Sequence, residues 1–329
     1  MKIAIVILNW NGKKLLEQFL PSVVKHSKEA NVYVADNAST DDSITYVNTH
    51  FPSVNIIKNS VNGGYAKGYN DALKTLNEDV LCLLNNDVEV TSNWLKPIIE
   101  LFKNEANTSI IQPKILDYKN KHSFEYAGAA GGFIDKFGYP YCRGRIFNTI
   151  EEDLGQYNDV IDIFWASGAC FFIRNDVFIQ LRGFDESFFA HMEEIDLCWR
   201  TKNLGYHIKY VGQSEVYHVG GATLNHANPK KTYLNFRNSL FTLTKNAKGS
   251  LFFLILTRLL LDGIAGIKFL FEFKFKHFFE ILHAHFSYYN HLKTLLYQRK
   301  SFKIKRNYYK KRSVALSYYV YKNRVYNSL

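Results

Sequence analysis

The sequence has few cysteines and lacks several patterns that assign a chain to a common class. Its four cysteines, Cys82, Cys142, Cys170 and Cys198, show neither pairing nor metal-ligand spacing, and each stands among apolar residues. We therefore expect reduced core thiols rather than disulfides or a zinc site. No internal repeat at solenoid periods is present. The N-terminal apolar run covers only residues 3–8 and is too short for a signal peptide, so we expect a cytoplasmic location.

The sequence also lacks a dinucleotide-binding motif and an uncharged apolar run long enough to span a membrane. No G-x-G-x-x-G follows the first apolar run, which disfavours a nicotinamide cofactor. Residues 251–273 form a long, mostly apolar stretch, but it contains Arg258, Asp262, Lys268 and Glu272. Each charge costs about 2.5–3.5 kcal/mol at the centre of a spanning helix. We therefore expect this stretch not to cross a membrane.

Charge is distributed unevenly along the chain. The net charge is +11, and residues 245–329 hold 17 Lys and Arg against 3 Asp and Glu. Residues 1–244 are close to neutral, with 24 against 27. We therefore predict a globular domain over residues 1–244 and a basic appendage over residues 245–329. The appendage is rich in Phe and Tyr, unlike a disordered charged tail.

Apolar runs alternate with helical spacing in the first part of the chain. Residues 2–8, 31–35, 54–58 and 80–84 predict buried strands, and helices are predicted over residues 13–25, from a cap at Ser39 or Thr40, and around residues 72–76. This alternation predicts an α/β fold with a mostly parallel sheet covered on both faces. Further on, we expect a strand over residues 110–116 and an exposed loop over residues 127–138. The small residues Ser167, Gly168 and Ala169 suit either a binding cleft or a tightly packed core.

Polar residues follow the ends of three predicted strands. Asp36 follows the second strand, a loop with Gly63, Gly64 and Gly68 follows the third, and the fourth ends in Asn85, Asn86, Asp87 and Glu89. If the strands are parallel, all three segments lie at one edge of the sheet, where open α/β sheets bind ligands. Such oxygen-rich side chains suit Mg²⁺ or Mn²⁺ with substrate phosphates. A solvated turn after a core strand would have the same composition.

A second acidic group lies at the start of a predicted helix. Glu193, Glu194 and Asp196 precede Cys198 and Trp199, and Leu204-Gly205 marks a helix end. Carboxylates favour helix N-termini by about 0.3–1 kcal/mol each, so simple capping is one explanation. Crowded carboxylates also raise one pKa, which suits a general base. His218 ends another short strand, where it is either structural or a ligand.

Six motifs occur in order along the chain. They are Ile-Val-Ile-Leu-Asn-Trp-Asn (residues 5–11), Val34-Ala-Asp-Asn-Ala-Ser-Thr-Asp41, Asn62-Gly-Gly-Tyr-Ala-Lys-Gly-Tyr-Asn70, Leu84-Asn-Asn-Asp-Val88, Gly183-Phe-Asp-Glu186 and Glu193-Glu-Ile-Asp-Leu-Cys-Trp-Arg200. Together they resemble family 2 inverting glycosyltransferases of GT-A fold, over residues 3 to about 221. Within the family the chain most resembles the rhamnosyltransferase-like branch of bacterial surface polysaccharide synthesis.

The resemblance implies a role for each site residue. Asp36 would bind the uracil or thymine and the ribose of a UDP- or dTDP-sugar, and Asp87 would be the main ligand of Mn²⁺ or Mg²⁺, with His218 and Glu89 as further ligands. Glu194 would be the catalytic base, with Glu193 as the alternative, and Asp196 in the same catalytic group would orient the helix and Arg200. The remaining donor-binding residues would be Asn9, Asn37, Asn62, Gly63, Gly64, Gly68, Asn70, Asn85 and Asn86.

The chain departs from the family pattern at two positions. Asn85 replaces the first carboxylate of the Asp-x-Asp-type motif, which would weaken metal binding, and Glu194 stands where the family has aspartate. The implied reaction is a single displacement with inversion at the anomeric carbon. A catalytically silent subunit that binds a sugar nucleotide or glycan is the alternative that Asn85 leaves open.

The basic appendage implies a site of action. An amphipathic helix over residues 251–273 and the cluster Arg299, Lys300, Lys303, Lys305, Arg306 and 310–312 would suit an anionic membrane surface at the inner face of the cell membrane. The acceptor would then be a glycan or a lipid-linked glycan. The same helices could instead pack on the catalytic domain or, in a third hypothesis, form a membrane scaffold. No RNA-binding motif accompanies the charge, so we expect no nucleic-acid partner.

Overall fold

A computed structural model describes residues 1–220, 228–300 and 308–329. Over these residues the chain forms a nine-stranded sheet and a second, four-stranded antiparallel sheet. The strands are β1 (Ile3–Asn9), β2 (Asn31–Asp36), β3 (Asn55–Lys58), β4 (Val80–Asn85), β5 (Val88–Val90), β6 (Thr108–Asp117), β7 (Gly132–Ile134), β8 (Pro140–Cys142), β9 (Arg145–Ile146), β10 (Thr149–Ile150), β11 (Val160–Asp162), β12 (Cys170–Arg174) and β13 (His207–His218).

Strand direction brings the polar strand ends to one edge of the large sheet. Its order is β11-β13-β6-β12-β4-β1-β2-β3, with β5 paired to β13. Strands β1 to β4 are parallel. Because β12 is antiparallel to both β4 and β6, β6 and its parallel partner β13 point the same way as β4. The predicted, mostly parallel sheet is confirmed, and the carboxyl ends of six strands share one edge.

Both faces of the sheet are buried, which explains the continuous apolar runs. In β1, Ile3, Ile5 and Ile7 belong to one core, whereas Ala4 and Val6 belong to the other. Burying an Ile or Val side chain stabilises the fold by about 1.5–3 kcal/mol. A one-residue shift of this strand would exchange the two sets.

Ten α-helices are found among the described residues. Leu16 and Ile98, from the first and fourth of them, contribute to one core, and Tyr69, Trp199 and Leu240, from the third, sixth and seventh, to the other. They are α1 (Lys13–His26), α2 (Ser43–His50), α3 (Gly64–Leu73), α4 (Leu95–Asn104), α5 (Asn175–Gln180), α6 (Glu193–Leu204), α7 (Pro229–Asn246), α8 (Leu251–Phe271), α9 (Phe275–Lys300) and α10 (Val314–Tyr319).

The predicted helix caps at Ser39 and Thr40 are wrong, because α2 begins at Ser43. The segment before it is tied to the turn after β1. Asn11 accepts a hydrogen bond from the Thr40 backbone N–H (2.7 Å), and the Asn11 N–H donates to Ser39 Oγ (2.9 Å). These bonds hold residues 39–41 as a loop.

Helix α3 begins earlier than residues 72–76, where the sequence predicts a helix. Ala66, Tyr69 and Ala72 are fully buried. This packing outweighs the intrinsic cost of Gly68 in a helix, about 1 kcal/mol. The glycine-rich loop is therefore short, and most of it is helix.

The expectation of an exposed loop over residues 127–138 is also wrong. Ala129 and Ala130 are fully buried, and β7 lies in this segment. A Cβ atom on Gly132 would lie 2.1 Å from the Trp165 ring, whose Nε1 donates to the Phe133 carbonyl (2.8 Å). Only glycine allows the indole to cover the strand at this point.

The C-terminal part of the chain packs against the second sheet. The Val314 N–H donates to Asp135 (3.0 Å), the Tyr308 hydroxyl to the Lys136 carbonyl (2.6 Å), and the Tyr326 N–H to Glu151 (3.1 Å). The predicted basic, helical appendage is present. The division after residue 244 stays a prediction.

Two of the four charges in residues 251–273 face the protein. Arg258 and Asp262 are buried and form an ion pair of 2.7 Å, and Arg258 also donates to the Phe137 carbonyl (2.9 Å). Lys268 and Glu272 lie farther along, in contact with solvent. Among the described helices, none combines the length and the apolar character that crossing a membrane requires.

Candidate active site

Asp36 places a free acceptor at the carboxyl edge of the sheet. One carboxylate oxygen accepts the Ser39 backbone N–H (3.1 Å). The other oxygen, Oδ1, is buried and has no hydrogen-bond partner. An unsatisfied buried acceptor is costly, about 1–3 kcal/mol or more for a charged group, so it is suited to a ligand donor.

The asparagines beside Asp36 shape the glycine-rich loop. The Asn37 amide donates to Asn62 Oδ1 (3.0 Å) and to the Gly64 carbonyl (3.1 Å), and it accepts from Asn59 (3.1 Å). Asn62 also accepts the Gly64 N–H (3.1 Å). Asn37 and Asn62, both predicted to bind the sugar nucleotide, therefore fix the loop. Gly63, the residue before α3, is partly exposed.

Gly68 and Asn70 have packing contacts in this structure. A Cβ on Gly68 would lie 3.0 Å from both Asn37 and Leu8. The Asn70 amide donates to the Phe184 carbonyl (3.0 Å) and accepts the Phe184 N–H (2.9 Å). Asn70 thus connects α3 to the Gly183-Phe-Asp-Glu186 motif.

Asn9 and Asn86 join the ends of β1 and β4. Asn86 Nδ2 donates to Asn9 Oδ1 (2.9 Å), and Asn9 Nδ2 lies 3.4 Å from Ser39 Oγ. Asn9 is fully buried. The residues predicted to bind the sugar-nucleotide donor at the ends of β1, β2 and β4 are therefore connected, with Ser39 between Asn9 and Asp36.

Asp87 and His218 form a buried pair next to that edge. Asp87 Oδ1 lies 3.1 Å from His218 Nε2, and His218 Nδ1 lies 3.4 Å from Glu125. Burial alone lowers the pKa of His218, but the hydrogen bonds to Asp87 and Glu125 raise it to about 10. Asn85 Nδ2 lies 3.5 Å from the same imidazole nitrogen.

Glu89 lies apart from this pair. It is partly exposed and forms an ion pair with Lys121, while its neighbours Val88 and Val90 are buried. Gly221, where the family resemblance ends, lies outside the described residues. Across residues 1–220, 228–300 and 308–329, no group of three or more His, Cys, Asp and Glu side chains is placed to hold a metal ion.

Glu193 and Glu194 open helix α6, as predicted. Burial raises the pKa of Glu194 to about 7, opposed by backbone hydrogen bonds at the helix start. Burial, together with the Glu194 charge, raises the pKa of Glu193 well above its usual range. Glu193 Oε2 is buried without a hydrogen-bond partner, whereas Glu194 is partly exposed. Glu194 is therefore the more accessible carboxylate for proton transfer near neutral pH.

Asp196 is occupied by a buried network. It accepts hydrogen bonds from Arg200 (2.8 Å), Lys245 (3.0 Å) and Asn246 (2.8 Å), and it has no exposed surface. Lys245 also pairs with Asp185 (2.6 Å). Asp196 therefore orients α6 against α7.

The small-residue segment at 166–169 joins the two halves of the site. The Ala169 carbonyl accepts the Asn85 N–H (2.9 Å), and the Gly168 carbonyl accepts the Tyr65 hydroxyl (2.8 Å). Burial raises the pKa of Tyr65, and the nearby charges of Glu193 and Glu194 raise it further. The segment thus contacts Asn85, two residues before Asp87, and Tyr65, which lies near Glu194.

Several residues of the site have no sequence signal of their own. Glu125 contacts His218 from a buried loop, and Arg237, Asn238 and Lys245 reach the start of α6 from α7. Helix α7 crosses the predicted boundary after residue 244, and no helix is predicted there from the sequence. A Tyr-x-x-x-Arg-Asn run with buried polar residues inside an amphipathic pattern is the only available sign.

Known proteins resemble this chain in sequence and in fold. The family model described as "Glycosyl transferase family 2" matches residues 4–182. N-acetylglucosaminyl-diphospho-decaprenol L-rhamnosyltransferase of Mycobacterium tuberculosis is 25% identical over 70% of this chain and 82% of its own. The low-salt glycan biosynthesis hexosyltransferase Agl10 of Haloferax volcanii is 24% identical over 84% and 87%.

Solved structures share the fold at low identity. GalNAc-T7, solved with UDP, GalNAc and Mn²⁺, has a TM-score of 0.59 at 16% identity, over 75% of this chain and 48% of that chain. The mannosyltransferase PcManGT of Pyrobaculum calidifontis, solved with GDP-Man and Mn²⁺, has a TM-score of 0.53 at 12% identity, over 91% and 73%. These likenesses agree with the GT-A fold. Since the family model covers more than half of the sequence, the chain belongs to glycosyl transferase family 2 and is a glycosyltransferase.

Proposed function

We propose that this glycosyltransferase moves a sugar from a UDP- or dTDP-sugar to a hydroxyl of a glycan or lipid-linked acceptor, with inversion, in surface polysaccharide synthesis. The observation that supports it best is the Glu194 carboxylate. Its pKa is raised to about 7 and it is partly exposed. The 166–169 segment bonds to Tyr65, which lies near Glu194, and to Asn85, at the end of β4. The rhamnosyltransferase and hexosyltransferase relatives support the substrate class.

Asp36 recognises the nucleotide in this proposal. Its unpartnered Oδ1 accepts the imide N–H of uracil or thymine, or a ribose hydroxyl, and so satisfies a buried acceptor. A cytosine or adenine edge that presents an acceptor to this oxygen would be rejected. The Gly64 carbonyl accepts a hydrogen bond from Asn37, the residue after Asp36 (3.1 Å). A side chain on Gly64 would meet the Phe189 carbonyl at 2.8 Å.

Asp87 and His218 would hold a divalent cation in this proposal if the ion displaced the proton of the hydrogen bond between them (3.1 Å), since a metal-ligating imidazole nitrogen carries no proton. Glu125 orients the imidazole through its other nitrogen, as second-shell carboxylates do. When bound, the cation would stabilise the charge of the departing diphosphate. Asn85 adds a neutral amide at this position.

Glu194 acts as the base. Its carboxylate removes the proton of the acceptor hydroxyl, whose oxygen forms a bond to the anomeric carbon as the bond from that carbon to the diphosphate oxygen breaks. The nucleoside diphosphate leaves with the electron pair, and configuration inverts. General base catalysis contributes about 10²–10⁴-fold to such rates.

Transfer assays with a Glu194→Gln variant test this assignment. With a panel of UDP- and dTDP-sugars and a polyprenyl-diphosphate GlcNAc acceptor, the wild type is expected to form an inverted linkage by NMR. The variant should lose at least about 10²-fold in rate and keep donor affinity within twofold. Unchanged turnover would remove Glu194 as the base. Donor binding without transfer by the wild type would favour the silent-subunit alternative.

We further infer that the α8–α9 hairpin contacts an anionic membrane surface. Each helix carries one stripe of exposed apolar residues at helical spacing, which is the surface that an interfacial helix presents. Lys268, Lys274 and Lys276 are exposed around the turn between the helices. The stripes are Phe252, Leu256, Leu260, Ile264, Ile267 and Phe271 on α8, and Phe275, Phe279, Leu282, Phe286 and Tyr289 on α9.

The opposite side of the hairpin is held by the protein, which fixes the direction of the stripes. Tyr288 bonds to Thr244 (3.0 Å), and Arg299 donates to the Thr244 carbonyl (3.0 Å). Each near-surface Lys adds about 1 kcal/mol of attraction to anionic lipid. Of the basic cluster predicted at the end of the chain, Lys303, Lys305 and Arg306 lie outside the described residues.

Vesicle flotation tests the membrane proposal. A Leu260→Asp, Ile264→Asp double variant should lose binding to phosphatidylglycerol vesicles, whereas Ile179→Asp, an equally exposed apolar residue on α5, should float like the wild type. Binding should weaken with salt. Equal flotation of the double variant and the wild type would exclude this surface.

A further inference from the structure

The turn that leads into α6 is held in an unfavourable backbone conformation. Phe189, His191 and Met192 have φ values of 64°, 68° and 73°, in the left-handed region, and none of them is glycine. Each such residue costs of order 1–3 kcal/mol and persists only where its surroundings enforce it. Three of them lie within the four residues immediately before Glu193.

Helix α7 supplies bonds that enforce this turn. Asn238 Nδ2 lies within hydrogen-bond distance of the carbonyls of Phe188 (3.0 Å), Ala190 (2.9 Å) and His191 (2.7 Å). Arg237 donates to the carbonyls of Ser187 (2.9 Å) and Phe188 (3.0 Å). The neighbouring side chains of Arg237 and Asn238 therefore lie within hydrogen-bond distance of the carbonyls of four of the five residues 187–191.

The side-chain amide of Asn238 is itself fixed in orientation. Asn238 is fully buried, and its Oδ1 accepts a hydrogen bond from Arg237 Nε (2.8 Å). That bond sets the orientation of the amide, so its NH₂ group must face the turn. The Thr242 hydroxyl caps the Asn238 carbonyl from the next turn of α7 (2.9 Å).

The turn connects the donor loop to the base. The Phe189 carbonyl accepts the Tyr65 N–H (3.3 Å), beside Gly64. The Asp196 N–H donates to the Met192 carbonyl (2.9 Å) and so starts α6 directly after the turn. Any change in the turn would move Glu193 and Glu194 relative to the glycine-rich loop.

We propose that Asn238, oriented by Arg237, is a positioning residue that sets the place of the Glu194 carboxylate by holding the left-handed turn at residues 189–192. This inference rests on the proposed role of Glu194 as the base. Asn238 does not touch substrate in this proposal and acts through the backbone of the turn.

Two substitutions at one site separate hydrogen bonding from packing. Asn238→Asp keeps the size of the side chain but points an acceptor oxygen at three carbonyls, and Asn238→Ala removes the group. Both should lower kcat by about 10- to 100-fold, the effect of a base displaced by about 1 Å, while donor Kd changes less than twofold. Thr244→Val is the matched control, because this buried α7 residue bonds to Tyr288 and not to the turn; its kcat should stay within twofold of the wild type.

Hydrogen exchange provides a readout that needs no transfer activity. Amides of residues 187–193 should exchange faster in both Asn238 variants and at the wild-type rate in Thr244→Val. If Asn238→Asp retains wild-type kcat and exchange, or if kcat falls only with the folded fraction, the positioning role is refuted. If amide exchange of residues 187–193 rises in the Asn238 variants but Glu194→Gln transfers sugar at the wild-type rate, Asn238 holds the turn and the assignment of Glu194 as the base is wrong.

Discussion

Replacing Glu194 by Gln should make the protein more stable as it makes the enzyme inactive. Burial raises the pKa of Glu194 from 4.5 to about 7, with Glu193 from the same turn and Tyr65 and Cys198 as the other titratable groups facing it. The folded state therefore holds a proton that the unfolded chain has released between those pH values. Ionised Glu194 works against folding.

The magnitude follows from the shift. A change from 4.5 to about 7 corresponds to at most about 3 kcal/mol at pH 8, and to under about 1 kcal/mol at pH 5. The sign is that of a raised carboxyl pKa: the unfavourable contribution is absent below the unfolded value and is complete above the folded one. Glutamine has the same shape and no charge, so it removes this contribution.

Urea unfolding at pH 5 and pH 8 measures the effect. The Glu194→Gln variant should gain about 2–3 kcal/mol over the wild type at pH 8 and much less at pH 5. Glu100→Gln, the same change at an exposed position of α4, should show no pH-dependent difference. A variant that is equally or less stable at pH 8 would refute the claim that Glu194 is held at a desolvated position for its chemistry.

Two other substitutions test the site and the core: Asp36→Ala tests donor binding, and Gly132→Ala tests the packing of Trp165 on β7. Asp36→Ala should weaken binding of the cognate UDP- or dTDP-sugar by about 10- to 100-fold, the value of a hydrogen bond to a charged group, whereas Asp42→Ala, an exposed neighbour, should leave calorimetric affinity unchanged; equal affinities of both variants would show that the Asp36 oxygen has no ligand. Gly132→Ala should lower the free energy of unfolding by about 1–3 kcal/mol or more, since its Cβ would meet the Trp165 ring. Gly263→Ala on α8, where nothing lies within 4 Å, should instead stabilise the chain by up to about 1 kcal/mol in the same melt, and two equal effects would contradict the packing argument.

The sheet and the strand ends are predictable from the sequence because local patterns carry them. The alternation of β1 between two cores requires a run of apolar residues, and the turn after it requires asparagine and glycine. Helix α6 has its acidic start and its Gly205 end, where φ is 101°, and the predicted C-cap is confirmed. His218 lies at a strand end, as expected.

Long-range packing decides what the sequence does not reveal. Helix α3 begins at Gly64 because buried residues hold it on the sheet, against the helix propensity of its glycines. Asn37 and Asn62 are recognisable as site residues, but the pattern does not separate a ligand from a loop-shaping side chain. Arg237 and Asn238 contact the turn before the base from about 50 residues farther along the chain, and no local pattern reports such a contact.

Calorimetry of donor binding, with and without Mn²⁺, tests the central claim most directly. The wild type should bind one UDP- or dTDP-sugar with an affinity that increases with Mn²⁺. Asp87→Ala should lose the metal dependence, because it removes one of the two atoms 3.1 Å apart that would hold the ion, and Glu194→Gln should bind like the wild type. If the folded protein binds no donor of the panel, the proposed donor site is contradicted. If it binds one equally well without metal and without Asp87, the proposed metal-dependent site is contradicted.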